Sequence, residues 1–173
     1  SNVFEAGDRA ATDTALAALA TIPTLSDVLL RRLPAVTDLG IRSLANGKGR
    51  LTSLSLHSNT ALGDESLHAI VAGLATRHSL LFFGLTFNYG VTDDGLGALV
   101  EGVPTLDELQ VDHCAQVSDE WTVKVKAGGG LSRVSMRAVG LALTAGGLEL
   151  LACGGAGSAT KLRALNLGFV SSV

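Results

Sequence analysis

The feature that most constrains this 173-residue chain is a spacing of apolar residues that returns six times. Leu51, Leu54 and Leu56 are followed by Asn59, Leu62 and Asp64. The same offsets from Leu80 give Phe83, Leu85, Asn88, Val91 and Asp93, and from Leu106 give Leu109, Val111, Cys114, Val117 and Asp119. Leu131, Val134, Met136 and Val139 form a further copy, Leu162, Leu165, Leu167 and Val170 open a last one, and Leu25, Val28, Leu30, Leu33, Val36 and Asp38 an earlier one. Successive starts lie 25 to 31 residues apart. Thr12-Asp13-Thr14-Ala15-Leu16 reads as the tail of a still earlier unit whose strand is degraded or missing. A unit this short cannot bury its apolar face alone, so the copies must stack into one continuous core.

Each offset has a physical reading. Apolar residues at the fourth and sixth positions alternate with period two, which predicts a short strand with one buried face. The asparagine or cysteine three residues later turns inward, where an amide side chain bonds backbone groups that a tight bend leaves unpaired. Cysteine fills the same space as a small, weakly polar group. Thr37-Asp38, Thr92-Asp93 and Ser118-Asp119 predict helix N-caps, a side-chain oxygen accepting a free amide. Leu67 to Ile70 and Leu96 to Leu99 put one helical stripe inward. Gly73, Gly102 and the run Ala127-Gly128-Gly129-Gly130 suit helix exits. The expected class is α/β, about six repeats with parallel strands on a concave face and helices on a convex face.

This pattern resembles the leucine-rich repeat superfamily over residues 10–173. The unit length and the Val-Thr-Asp helix opening are similar to the cysteine-containing class, which includes the substrate-recognition arms of F-box proteins. The 29-residue spacing from Leu51 to Leu80 and Glu101-Gly102 also resemble the ribonuclease-inhibitor class. The resemblance implies a single horseshoe-shaped solenoid domain over 1–173, a piece of a longer solenoid or protein, with 10–24 the remnant of an earlier repeat. Val139 and Leu33 depart from the Asn/Cys position, which predicts drier and less regular turns there. The stop at Gly168-Phe169-Val170, just past a strand, predicts an uncapped edge open to further sequence, to a partner, or to end-to-end pairing with another copy.

Composition excludes several function classes. The chain is 47% hydrophobic and only 17% charged, too apolar for disorder. Its net charge of −3 lacks the basic excess of a general nucleic-acid binder. No uninterrupted apolar run of about 18 residues predicts a membrane span. No basic-then-apolar leader opens the chain, and Ser1-Asn2 reads as a tag remnant. Cys114 and Cys153 form no zinc pattern and read as buried free thiols, which suits a reducing intracellular, cytoplasmic setting.

The third, fifth and seventh residues of each unit point away from the core. The third positions read Asp27, Ser53, Phe82, Glu108 and Arg133; the fifth Leu29, Ser55, Gly84, Gln110 and Ser135; the seventh Arg31, His57, Thr86, Asp112 and Arg137. The eighth, at the strand exit, are Arg32, Ser58, Phe87 and His113. Phe82 and Phe87 would be exposed aromatics around a depression at Gly84, the usual anchors of a binding surface, unless a loop covers them or the register is off by one. The charges run basic (Arg31, Arg32), acidic (Glu108, Asp112), then basic (Arg133, Arg137), and Asp112 can pair directly with Arg137, such pairs largely neutralising one another. Candidate partner-binding residues are thus Phe82, Phe87, His57, Glu108, Asp112, His113, Arg133 and Arg137.

Catalytic and cofactor readings are weak, and no cofactor is expected. His57 and His113 lie two units apart, about 10 Å, too far for one metal without a third ligand. Asp112-His113-Cys114 alternates faces, so it cannot converge as a nucleophilic triad. Cys153 to Lys161 is glycine-rich but lacks a Gly-Lys-Ser/Thr ending and leads into a strand, so it reads as a long loop. The expected function is binding of another protein, not catalysis, mainly through the concave face. The alternatives are a structural subunit of a flagellar, cytoskeletal or mitochondrial assembly, a regulator of an enzyme, or the recognition part of a ubiquitin-ligase adaptor, which would need an F-box absent here.

Overall fold

Alternation of leucine with small or polar residues produces seven strands: β1 (Asn2–Ala6), β2 (Leu25–Arg31), β3 (Ser53–His57), β4 (Phe82–Thr86), β5 (Glu108–Asp112), β6 (Arg133–Arg137) and β7 (Ala164–Asn166). Between them lie α1 (Asp13–Leu19), α2 (Asp38–Ala45), α3 (Asp64–Leu74), α4 (Asp93–Gly102), a 3-10 turn (Glu120–Lys124) and α5 (Ala145–Cys153). The structure, a computed structural model, describes residues 2–6, 11–74, 79–125, 130–137, 144–153 and 161–168, with the backbone alone at 2–6 and at Cys153. The fold is α/β: the strands form one all-parallel sheet in sequence order, each paired with the next. Ahead of α1 stands β1, pairing with β2, where the sequence had suggested a degraded or missing strand. It was hidden because its segment carries none of the leucine offsets.

The expected register holds. Leu54, Phe83, Leu109 and Val134 align across β3 to β6 and are buried, as are Leu56, Leu85, Val111 and Met136. These side chains meet Ile41, Leu44, Leu67, Ile70, Leu96 and Leu99 of the helices in one core. Among the described residues no helix covers the other face of the sheet, and most of its side chains are partly exposed.

Two ladders tie unit to unit. Asn59 donates from Nδ2 to the Leu30 carbonyl, and its Oδ1 accepts from the Leu33 amide. Asn88 donates to the carbonyls of Leu56 and Thr86 and accepts from the Asn59 amide. Cys114 takes the equivalent place, its Sγ near the Asp112 carbonyl at 3.5 Å. Leu33 is fully buried there, and Val139 lies outside the described residues.

The second ladder runs through helix starts. Thr37 and Thr92 cap their own helices, accepting from the amides of Leu39 and Asp94. The aspartates that open the helices do something else: each serves the following unit. Asp13 accepts from Thr37 N and Oγ1 at 2.8 and 2.7 Å, and Asp64 accepts from Thr92 at the same distances. Asp93 accepts from Ser118, and Asp119 from Thr144.

This arrangement dictates the residue three places after Thr37, Thr92 and Thr144 and its counterparts in the other units. A Cβ at Gly40, Gly95 or Gly147 would collide with the carboxylate of Asp13, Asp64 or Asp119. Ser66, at the same place in α3, instead donates its hydroxyl to Asp38. Trp121 stands there in the unit after α4, and the described residues of that unit form a five-residue 3-10 turn instead of the expected helix. Gly73 was expected to mark a helix exit. It lies inside α3, where an added Cβ would meet the Ala45 backbone at 2.7 Å, so its role is close helix approach.

Candidate functional site

The open face is organised as rows, because parallel pairing without register shift lines up equivalent residues. Arg31, His57, Thr86, Asp112 and Arg137 are successive partners across β2 to β6. Asp27, Ser53, Phe82, Glu108 and Arg133 form a second row. The eighth position adds a third row with unusual backbone: Arg32, Ser58, Phe87 and His113 have φ of 53, 53, 56 and 55°. The cause is a repeated hydrogen bond. In that conformation each amide donates to the seventh-position carbonyl of the next strand, Phe87 to Asp112 at 3.1 Å and His113 to Arg137 at 2.7 Å. The left-handed region costs an ordinary L residue about 1 kcal/mol relative to glycine.

Of the candidate residues, Phe87 and His113 come together most clearly. Their rings stack with centroids 4.3 Å apart and planes 11° from parallel, and Phe87 is 39% exposed. Tyr89, 49% exposed, follows on the same turn. It was not singled out from the sequence, although its place next to the inward-turned Asn88 was a usable signal. Phe82 is half-buried, and a Cβ at Gly84 would sit 3.2 Å from its ring, so that ring closes the depression expected there. Glu108 and Arg133 pair across β5 and β6 at 2.9 Å, both partly exposed.

Asp112 is placed differently from an exposed contact. It is fully buried, accepting from the Arg137 guanidinium at 2.6 Å and from the Arg137 amide, Ser135 Oγ and Gln110 Nε2. Burial pushes its carboxyl up, but the hydrogen bonds from Arg137 and Gln110 outweigh this and hold its pKa below the ordinary carboxylate value. A depressed folded-state pKa means stability that is present above pH about 4 and lost as pH falls through the folded value. Asp112→Asn is therefore expected to lower stability by about 2 kcal/mol at neutral pH, less than for a fully buried pair because Arg137 still reaches water. Thermal melts of both proteins from pH 6 to pH 2 should show the difference shrinking on the acid side.

His57 is half-buried. Burial and the neighbouring Arg31 lower its pKa, partly offset by Asp112. Thr86, between His57 and Asp112, has a buried hydroxyl with no hydrogen-bond partner among the described residues. His57 and His113 remain two strands apart, and the described residues hold no group of three or more metal donors. Burial also pushes the Cys114 thiol up to about 11, Asp112 adding to the effect and the Asn88 amide opposing it. In a Cys153→Ser background, Cys114 should react with a thiol reagent at pH 8 at least about 100-fold slower than a free cysteine, until denaturant is added.

Clefts exist on both faces. Two flank the 3-10 turn, about 530 and 390 Å³; of the carboxylates that line them, Asp93 and Asp119 are engaged by cap groups, and Asp94 and Glu120 lie at the exposed rim. A third, about 520 Å³, lies at the leading end of the open face between Leu81, Phe82, Glu108 and Arg133. Among the described residues, no helix is long and apolar enough to cross a membrane. No protein-family model and no curated protein matches the chain.

Proposed function

We propose that the chain is a leucine-rich repeat solenoid that binds another protein on the open, concave face of its sheet, without catalysis of its own. The observation that carries this is the exposed Phe87–His113 stack. Two large rings occupy backbone positions where glycine would be less strained, stacked on each other and open to solvent on their outer side, with Phe87 39% exposed. Exposed, rigid aromatics beside polar groups are typical anchors of protein interfaces. Support for the solenoid reading comes from the one-strand, one-turn unit repeated in register and from the asparagine and aspartate ladders. Binding is the only role assigned; a cytoplasmic setting fits a buried thiol at Cys114.

The test is affinity capture of the tagged chain from its native cells, in parallel with Phe87→Gly and Phe82→Ala. Phe87→Gly keeps the backbone conformation accessible, so stability should change by no more than about 1 kcal/mol. Loss of one captured protein from these variants, with folding retained, is the expected result. Recovery of the same assembly by all three would move the contact to the helices and favour a structural-subunit role.

A further inference from the structure

We infer that the cleft at the entry end of β4 to β6 takes an extended segment of the partner protein, with an apolar side chain seated on Leu81 and Phe82, a basic one against Asp107 and an acidic one against Lys161. This rests on the open-face reading above and adds a second contact, at the opposite end of β4 from the Phe87–His113 stack.

The cleft, about 520 Å³, has an apolar wall that the fold does not require. In the units of β2, β3, β5, β6 and β7 the second residue is polar: Ser26, Thr52, Asp107, Ser132 and Arg163. Leu81 stands at that place in the unit of β4 and is 49% exposed. Its backbone is held without help from the side chain. The amide donates to the Thr52 carbonyl, and the carbonyl accepts from the amides of Asp107 and Glu108, each at 2.9 Å. The third residue repeats the departure: β2, β3, β5 and β6 carry Asp27, Ser53, Glu108 and Arg133 where β4 carries the half-buried Phe82. Two consecutive apolar residues thus line one cleft at places that the neighbouring units fill with polar groups. An apolar wall beside polar groups is where the anchoring side chain of a partner seats.

The charges along the cleft select the occupant. Among the described residues, four charged ones line it: Asp107, Glu108, Arg133 and Lys161. Glu108 and Arg133 answer each other at 2.9 Å. Asp107 and Lys161 make no ion pair among the described residues. Asp107 follows Leu81 directly across the sheet, its amide on the Leu81 carbonyl. Lys161 opens the unit two strands further on, roughly 10 Å away. Asp27 and Arg50 lie on the far side of Leu81, and Arg163 follows Lys161 at the basic end; none of the three lines the cleft. The unspent charges are therefore acidic next to the apolar wall and basic across from it. The complementary chain carries an apolar, then a basic, then an acidic residue. An extended chain advances about 3.3–3.6 Å per residue, so the basic residue falls one or two places from the apolar one and the acidic residue about three places further on.

The test is selection of peptides from a random displayed library on the whole folded chain, followed by titration of the enriched peptides against variants. Peptides with that order of residues are expected. Serine at 81 is the residue type that other units carry there, so Leu81→Ser is expected to melt with the parent chain. It should weaken the peptides about tenfold. Asp107→Asn should weaken them about threefold, and this loss should vanish when the basic residue of the peptide is exchanged for glutamine. Lys161→Gln should couple in the same way to the acidic residue of the peptide. Enriched peptides without these charges, absence of either coupling, indifference to Leu81→Ser, or no enriched peptide at all would overturn the inference. If that happens while Phe87→Gly still loses the captured protein, the open-face reading survives alone; if Phe87→Gly also binds normally, both fall.

Discussion

Asn88→Ala is expected to destabilise the chain by about 3 kcal/mol, seen in urea unfolding as a lower midpoint with an unchanged slope. The side chain is fully buried and ties its own unit to the preceding one. Its Nδ2 supplies the carbonyls of Leu56 and Thr86, and its Oδ1 takes the Asn59 amide. Alanine strands these backbone groups away from water, and a buried unpaired group costs about 1–3 kcal/mol. Asn88→Cys should be milder, because Cys114 shows that a thiol fits the equivalent place. An effect of less than about 1 kcal/mol for Asn88→Ala would mean that the turns do not depend on this ladder.

Gly95→Ala should also destabilise, by about 2 kcal/mol, although alanine favours a helix by about 1 kcal/mol over glycine. The added methyl would collide with the Asp64 carboxylate, which is held in place by Thr92. Moving the carboxylate weakens the cap of α4; moving the helix opens the core at Leu96. The sign should depend on its neighbour. In an Asp64→Ala background only the flexible Leu67 methyl, 3.0 Å away, remains, and Gly95→Ala should become nearly neutral. A double-mutant cycle by chemical denaturation measures this coupling directly. Equal effects in both backgrounds would show that the glycine serves something other than this contact.

These two sites mark where the sequence was and was not legible. The asparagine positions could be read because the leucine offsets already define a strand, and a polar residue three places beyond it has only the turn to face. The same offsets separated outward Phe82 from buried Phe83 and aligned Glu108 and Asp112 with their arginines. The aspartate ladder was harder. Thr-Asp reads naturally as a local cap, yet the carboxylate's partners lie in the next unit, and local spacing carries no such information. A trace did exist: Gly40, Gly95 and Gly147 fall at one place in the unit, with Ser66 replacing glycine as a hydrogen-bond donor. Trp121 at that place breaks the pattern in the unit whose described residues form a 3-10 turn. The burial of Asp112 could not be read, since outward-pointing strand residues are normally wet and only Arg137, Gln110 and Ser135 together enclose it.

The candidate site was legible only in part, for a physical reason. Inward residues obey the repeat, so each copy predicts the next. Outward residues are not held to the core's spacing, and the repeat says nothing about them. What the structure adds is the backbone: positive φ at Arg32, Ser58, Phe87 and His113 turns the eighth side chains into a row along one edge and brings two rings into contact.

The central claim, that this edge of the open face is where a protein binds, is tested most directly by amide hydrogen exchange of the chain with and without its captured partner. Slowed exchange over residues 30–33, 56–59, 85–89 and 111–114, with α2, α3 and α4 unchanged, is the expected footprint. Protection confined to the helices, with those four turns exchanging as in the free chain, would contradict the account.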